Sequence, residues 1–226
     1  MNALTLILLM FWYILPAYAA NGLAVVFGRG SRLNIPLDLG KNFIDGRRIF
    51  GAGKTLRGFL GGILAGTLVG FAQTISGNTI GIFMLRFSPV TLQFILMLHV
   101  LGFQSLISLI ILNSLLLSPF YFALLDYPLT IKEVIIPSPV KGFLLSMGAL
   151  VGDLAGSFIK RRLKMERGKP APGLDQLDFV IGAILLSSIF YVPPIEILVT
   201  ALLLTPAVHL TANITGYALN LKKEPW

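Results

Sequence analysis

Five apolar stretches, at about residues 4–28, 55–76, 90–124, 139–160 and 176–219, leave little chain between them for anything but loops. Roughly 20 apolar residues in a helix cross the ~30 Å hydrocarbon layer of a bilayer. Inside that layer each backbone polar group needs an internal partner, and continuous apolar runs of this length meet that need as helices. Only 12% of the 226 residues are charged, about half the share of a soluble domain. Mean hydropathy is +0.83. The chain is therefore read as an all-α polytopic membrane protein, one domain over residues 1–226. The last stretch is broken by Pro193-Pro194 into two helices, because proline lacks the N–H and clashes with the preceding turn.

Ala17-Tyr18-Ala19, after an apolar run, has the look of a signal-peptidase site. No basic residue precedes it, and the apolar character continues to Phe27, so a spanning helix is expected instead. The cations set the topology. Seven Lys/Arg fall in loop 29–57, six in loop 160–178 and two, Lys222 and Lys223, in the tail. Of 18, only Arg86, Lys132 and Lys141 lie elsewhere. The positive-inside rule then puts both loops and the C-terminus on the cytoplasmic side of a cell membrane, with the N-terminus outside.

Both basic loops on one side require an even number of crossings between them. Segments 55–76 and 139–160 supply two. Two more would need about 40 residues, whereas 90–124 has 35 and is interrupted by His99, Gly102, Gln104 and Asn113. The expectation is five principal spans, with residues 77–138 an insertion carrying a re-entrant or surface-lying helical part on the outer side.

Composition also narrows the chemistry. Without cysteine there is no disulfide, no thiolate metal site and no cysteine nucleophile, and two histidines argue against zinc. The net charge of +8 resides in loops between apolar spans. Anionic lipid headgroups or a phosphate-rich substrate, not nucleic acid, are the expected partners.

Against this background Gly152 to Arg162 stands out. A charge at membrane depth costs about 2.5–3.5 kcal/mol on insertion scales, so clustered charges mark a site. On a helix Asp153, Ser157, Lys160 and Arg161 share one face. The cations alone could be a stop-transfer anchor. Asp175 and Asp178, at i and i+3 after Pro170-Ala171-Pro172-Gly173, open the next helix. Helix-dipole complementarity explains one of them comfortably. Facing Asp153, the pair would form an oxygen cage for Mg²⁺, which binds through one or two carboxylates plus substrate phosphates.

Gly51-Ala52-Gly53-Lys54-Thr55-Leu56-Arg57-Gly58 invites a P-loop reading, which fails because Arg48 stands where the pattern needs glycine and no strand precedes it. What remains is a helix N-terminus with Lys54, Thr55 and Arg57 placed to meet an anion, or simply to anchor the span. Asp38, Lys41, Asp45, Arg47 and Arg48 form a mixed-charge loop upstream that could cover a nucleotide. His209, Asn213 and Tyr217 recur every four residues on the last helix; interhelical hydrogen bonding is the plainer role, a place beside a lipid headgroup the sharper one.

The stretch ending at Asp178 resembles the signature of the CTP-dependent phosphatidate cytidylyltransferase superfamily, matching at Ser157, Lys160, Arg161, Pro172, Asp175 and Asp178. The His-Gly-Gly element is absent, Gln176 stands in place of an arginine and the loop is shorter. With Pro16 to Gly22, Pro36-Leu37-Asp38, Asp45 to Arg48, Gly53 to Gly58, and His209, Asn213, Tyr217 and Lys222 to Trp226, the pattern is similar to the archaeal CDP-archaeol synthase branch. Residues 77–138 carry none of these motifs. The resemblance implies a nucleotidyltransferase of phospholipid biosynthesis that makes CDP-archaeol and pyrophosphate from CTP and an unsaturated archaeol phosphate with geranylgeranyl ether chains. It implies Asp153, Asp175 and Asp178 as Mg²⁺ ligands and, with Lys160, as the catalytic set. Lys54, Thr55, Arg57, Lys160 and Arg161 would hold phosphates, and Ser157, Asp38, Lys41, Asp45, Arg47, His209 and Asn213 would contact substrate. A CDP-diacylglycerol synthase on ester lipids stays open, as does a transporter for an anionic solute. A CDP-alcohol phosphotransferase would need an Asp-Gly-x-x-Ala-Arg run that the chain lacks.

Overall fold

The computed structural model describes residues 3–29, 35–86, 131, 134–135, 138–166 and 168–220, with the side chains of 77–86 excepted. Among them are five helices, in chain order α1 (Ala3–Phe27), α2 (Leu56–Arg86), α3 (Pro139–Arg162), α4 (Leu174–Ser187) and α5 (Ile195–Ala218). The expectation for residues 90–124 lies outside the described residues. Four helices are long and apolar enough to cross a membrane: α1, α2 over Leu56–Ser76, α3 and α5. α4, with 14 residues, is about 21 Å long and short of a full crossing by itself. Its shortness follows from Pro193 and Pro194, which force extended chain before α5 begins. α2 runs ten residues beyond the apolar stretch read from sequence, to Arg86, since the next proline is Pro89.

Small residues decide how the helices meet. Without a hydrophobic drive inside lipid, helices associate where backbones can approach closely. On α2, Gly58, Gly62, Gly66 and Gly70 repeat every four residues; a side chain there would run into Ala24, Ala20, Pro16 and Gly142 respectively. On α3, Gly148, Gly152 and Gly156 repeat likewise, and a Cβ at each would strike Gly182 or Asp178 of α4. α1 packs on α2, and α3 on α4, along these two ridges.

Several polar groups buried between helices find partners across the seams. Pro16 within α1 cannot donate to the carbonyl of Trp12, and that oxygen instead accepts from Gln73 Nε2 of α2 at 2.6 Å. Trp12 Nε1 donates to the Ile135 carbonyl at 3.0 Å, Tyr13 meets Ser187 at 2.7 Å and Tyr18 meets Thr205 at 2.9 Å. The core between α1, α3, α4 and α5 is apolar, built on Leu9, Ile14, Leu145, Phe179, Val180 and Ile197.

Between α1 and α2, residues 35–55 form a compact loop. Leu37 N–H donates to the Lys54 carbonyl at 2.8 Å, Leu56 N–H to Ile35 at 2.9 Å, and Phe43 N–H to Arg47 at 2.7 Å. Two short antiparallel contacts, Pro36 with Thr55 and Asn42 with Arg48, give the loop its shape.

Candidate active site

The glycine ridge of α3 fixes Asp178 of α4. A side chain at Gly156 would collide with the Asp178 carboxylate, so that carboxylate fills the space a larger residue would take. Gly152 takes the Asp178 backbone in the same way. Asp178 Oδ1 accepts its neighbour's N–H, from Phe179, at 2.6 Å. It lies within electrostatic reach of Asp153, Lys54 and Asp175.

Beside it, at the end of the bundle where α2 begins and α3 finishes, is a cleft of about 250 Å³. Its wall includes Asn21 and Ala24 of α1, Gly53, Lys54 and Thr55 before α2, Asp153 and Lys160 of α3, Lys169 of the next loop, Asp175 of α4, and His209 and Asn213 of α5. Four separate parts of the chain thus bring charge to one place. Lys54 pairs with Asp153 across 99 positions of sequence, and Lys160 pairs with Asp175. All four side chains are partly buried, which strengthens their attraction relative to a surface pair. Asp175 also closes the Pro172-Gly173 turn, its second oxygen accepting the Ala171 N–H at 2.8 Å. Asn213 and the His209 ring meet at 3.2 Å, and His209 sits against Phe179, centroids 6.1 Å apart.

Of the residues singled out from sequence, Lys54, Thr55, Asp153, Lys160, Asp175, His209 and Asn213 come together in the cleft, with Asp178 behind it. The others stand elsewhere. Ser157 is buried, and Lys41, Arg57 and Tyr217 are exposed outside the cleft wall. Thr55 is occupied in part as the start of α2, its Oγ1 accepting the Gly58 N–H at 3.1 Å. Arg161 offers its carbonyl to Arg47 at 3.3 Å. Asp38 is buried in the 35–55 loop, where it takes Arg48 and the N–H groups of Gly40, Phe50 and Gly51. Burial alone would raise its pKa, but the Arg48 guanidinium and those three N–H donors outweigh it and hold Asp38 well below the usual carboxylate value. Asp45 pairs with Arg162 at 2.8 Å. These loop groups hold backbone in place.

The oxygen cage expected from sequence differs in one respect. Among the described residues no three His, Cys, Asp or Glu side chains converge as a ready metal-holding group. Asp153 and Asp175 each meet a lysine, so ammonium groups take the positions a cation would use. The donor set still suits Mg²⁺, a hard cation that needs one or two carboxylates when phosphate oxygens complete its shell. Sequence reading missed two members of the cleft wall. Lys169 is one of six cations in its loop, and Asn21 is a single amide in the apolar run of α1, so neither stands out locally.

The chain matches a family model described as CarS-like: CDP-archaeol synthase, over residues 3–116 and 107–226. It is similar to the CDP-archaeol synthase of Methanocaldococcus jannaschii, 45% identical over 95% of this chain and 94% of that protein. That of Pyrobaculum calidifontis is 38% identical over 100% of both. That of Pyrococcus abyssi is 40% identical over 96% of both. These matches run through residues 77–138, so the relatives share that length. A solved structure described as "Structural insight into an intramembrane enzyme for archaeal membrane lipids biosynthesis" aligns over 90% of this chain and 92% of its own. Its TM-score is 0.55 and its identity 31%.

Proposed function

The chain belongs to the CarS-like family of CDP-archaeol synthases, and from that membership we propose that it is a membrane cytidylyltransferase making CDP-archaeol from CTP and unsaturated archaeol phosphate. The observation that carries this reading is the pair of lysine–aspartate contacts, Lys54 with Asp153 and Lys160 with Asp175, on the wall of one cleft. Basic loops 29–57 and 160–178 favour the cytoplasmic side for that cleft, where CTP is available.

In the proposed reaction an oxygen of the lipid phosphate attacks the α-phosphorus of CTP. A new P–O bond forms, the bond from the α-phosphorus to the bridging oxygen breaks, and pyrophosphate leaves. The nucleophile is already ionised near neutral pH, so a strong general base is unnecessary. The obstacle is repulsion between two polyanions and the charge that builds on the leaving oxygen. Fixed cations aimed at that charge are the main resource for such a step.

Lys160 supplies a cation to that charge and Lys54 binds the phosphates of CTP, both by exchanging partners. Each ammonium leaves its aspartate for a phosphate oxygen when the nucleotide enters, which frees Asp153 and Asp175. Mg²⁺ held by Asp153, Asp175 and Asp178, directly or through water, would neutralise charge on the phosphates. Asp178, fixed against Gly156, keeps its carboxylate from drifting. Lys169 adds a cation at the cleft mouth, and Asn21, His209 and Asn213 offer hydrogen bonds to the headgroup. The apolar outer faces of α1, α3 and α5 leave room for isoprenoid chains in the surrounding lipid.

The test is to incubate purified protein with CTP and Mg²⁺ and either ether-linked or ester-linked lipid phosphates, and to measure pyrophosphate. Release with the geranylgeranyl ether lipid supports the reading. Release only with ester lipids reassigns the substrate, and none with either removes the activity.

A further inference from the structure

Arg162, in the last turn of α3, lies outside the cleft wall, yet it is held from several sides. Its guanidinium lies over the ring of Phe158, one turn back on α3, at 4.6 Å, and over the ring of Phe43 in the 35–55 loop at 5.0 Å. The two rings meet edge to face, 5.2 Å between centroids and 87° between planes. Nε pairs with Asp45 at 2.8 Å, and Nη2 donates to the carbonyls of Arg48 at 2.8 Å and Arg47 at 3.3 Å. Arg47 returns a bond to the Arg161 carbonyl at 3.3 Å.

Bonds continue from this point to the cleft. Arg48, whose carbonyl Arg162 holds, sends its own guanidinium to Asp38. Asp38 takes the Gly51 N–H at 2.8 Å. Leu37, next to Asp38, donates to the Lys54 carbonyl at 2.8 Å. Gly53, Lys54 and Thr55 are the loop's share of the cleft wall.

We propose that Arg162 is a positioning residue: stacked on Phe43 and Phe158 and paired with Asp45, it latches the 35–55 loop to the end of α3 and so sets Lys54 opposite Asp153. The loop is then a fixed wall of the nucleotide site, not a cover that folds over it. Arginine is required, because only a planar fork can stack on rings while bonding two carbonyls and lying against a carboxylate; a lysine offers a point charge. The kinetic consequence rests on the cytidylyltransferase reading; the latch itself does not.

The experiment compares wild type, Arg162→Met, Arg162→Lys and Asp45→Asn by steady-state kinetics and by amide exchange in the same detergent. Loss of a latch that orients Lys54 weakens nucleotide binding, so Arg162→Met raises KM for CTP about tenfold, with kcat within about threefold. KM for the lipid stays unchanged. Arg162→Lys stays within about twofold of Arg162→Met, and Asp45→Asn gives about a threefold rise. Exchange quickens at residues 41–51 while α1 and α2 keep their protection. The proposal is overturned by wild-type values in Arg162→Lys, or by losses spread over kcat, both KM values and exchange throughout. Should Arg162→Met not purify folded, unchanged exchange at 41–51 in both milder variants overturns it. If wild type transfers nothing from CTP, the activity reading fails, and the exchange comparison still decides the latch.

Discussion

Two groups of acidic side chains among the described residues meet cations with different partners. In the cleft Asp153 and Asp175 pair with Lys54 and Lys160; in the 35–55 loop Asp38 and Asp45 pair with Arg48 and Arg162. A lysine ammonium is a compact charge on a flexible stem and can change partners, whereas an arginine fork is held by several bonds at once. The arginine pairs are tied further: Arg162 is bound to two carbonyls, and Asp38, the partner of Arg48, to three backbone N–H groups. Similar charge therefore serves exchange in one place and structure in the other. The cleft pairs are where substrate is expected to compete, and the loop pairs are where it is not.

The largest effect expected comes from the acidic side of the cleft. Asp153→Asn and Asp178→Asn should each lower kcat on the order of 10²–10³-fold while the protein remains folded in detergent. Pyrophosphate release measures the first and size-exclusion chromatography the second. Near-normal release from Asp178→Asn would remove that residue from the mechanism. Gly156→Ala comes next, because its Cβ would displace the Asp178 carboxylate. A shift of about 1 Å at a reacting centre can cost about 10²-fold, so activity should fall far more than stability.

Replacing a lysine sharpens the contrast. Lys54→Met should raise KM for CTP about tenfold, the scale set by a lost charge-assisted hydrogen bond. The same change should also uncover Asp153, so Mn²⁺ binding without nucleotide, followed by electron paramagnetic resonance, should tighten. Weaker Mn²⁺ binding would contradict partner exchange. Lys41→Ala, exposed and outside the cleft, should change KM less than about twofold.

The smallest effect distinguishes the loop by pH. Asp38 is held below its ordinary pKa of 3.8, so its stabilisation is complete above that value. It is lost as pH falls below 3.8 toward the lower value of the folded loop. Protection of residues 35–55, measured by amide exchange, should be flat from pH 8 to about 5 and decline only in stronger acid. Asp38→Asn should show that lower protection already at pH 7.

Much of this was readable from the residues, for physical reasons that differ between elements. The spans follow from apolar length, and the break before α5 from Pro193-Pro194. The seating of Asp178 was also present in the spacing of Gly148, Gly152 and Gly156, since small residues every fourth position mark a close helix contact. Partnership was harder to read. Lys54 and Asp153 lie 99 positions apart, and nothing local distinguishes a lysine that meets a carboxylate from one that anchors a span. Asp38 and Asp45 resemble nucleotide ligands by composition, and only tertiary contacts reveal that arginines and backbone already occupy them. Arg162 was hidden for the opposite reason, because a basic cluster at a helix end is explained by the membrane interface alone. The aromatic residue four positions before it, Phe158, was the available signal.

The central claim is that the cleft joins the α-phosphate of CTP to a lipid phosphate. It is tested most directly by following two labels, with CTP carrying ³²P at either the α or the γ position and geranylgeranyl ether lipid phosphate as acceptor. The account predicts α-label in the lipid fraction, γ-label in pyrophosphate, and neither transfer with Asp178→Asn. γ-Label in the lipid, or α-label transfer undiminished in that variant, would contradict it.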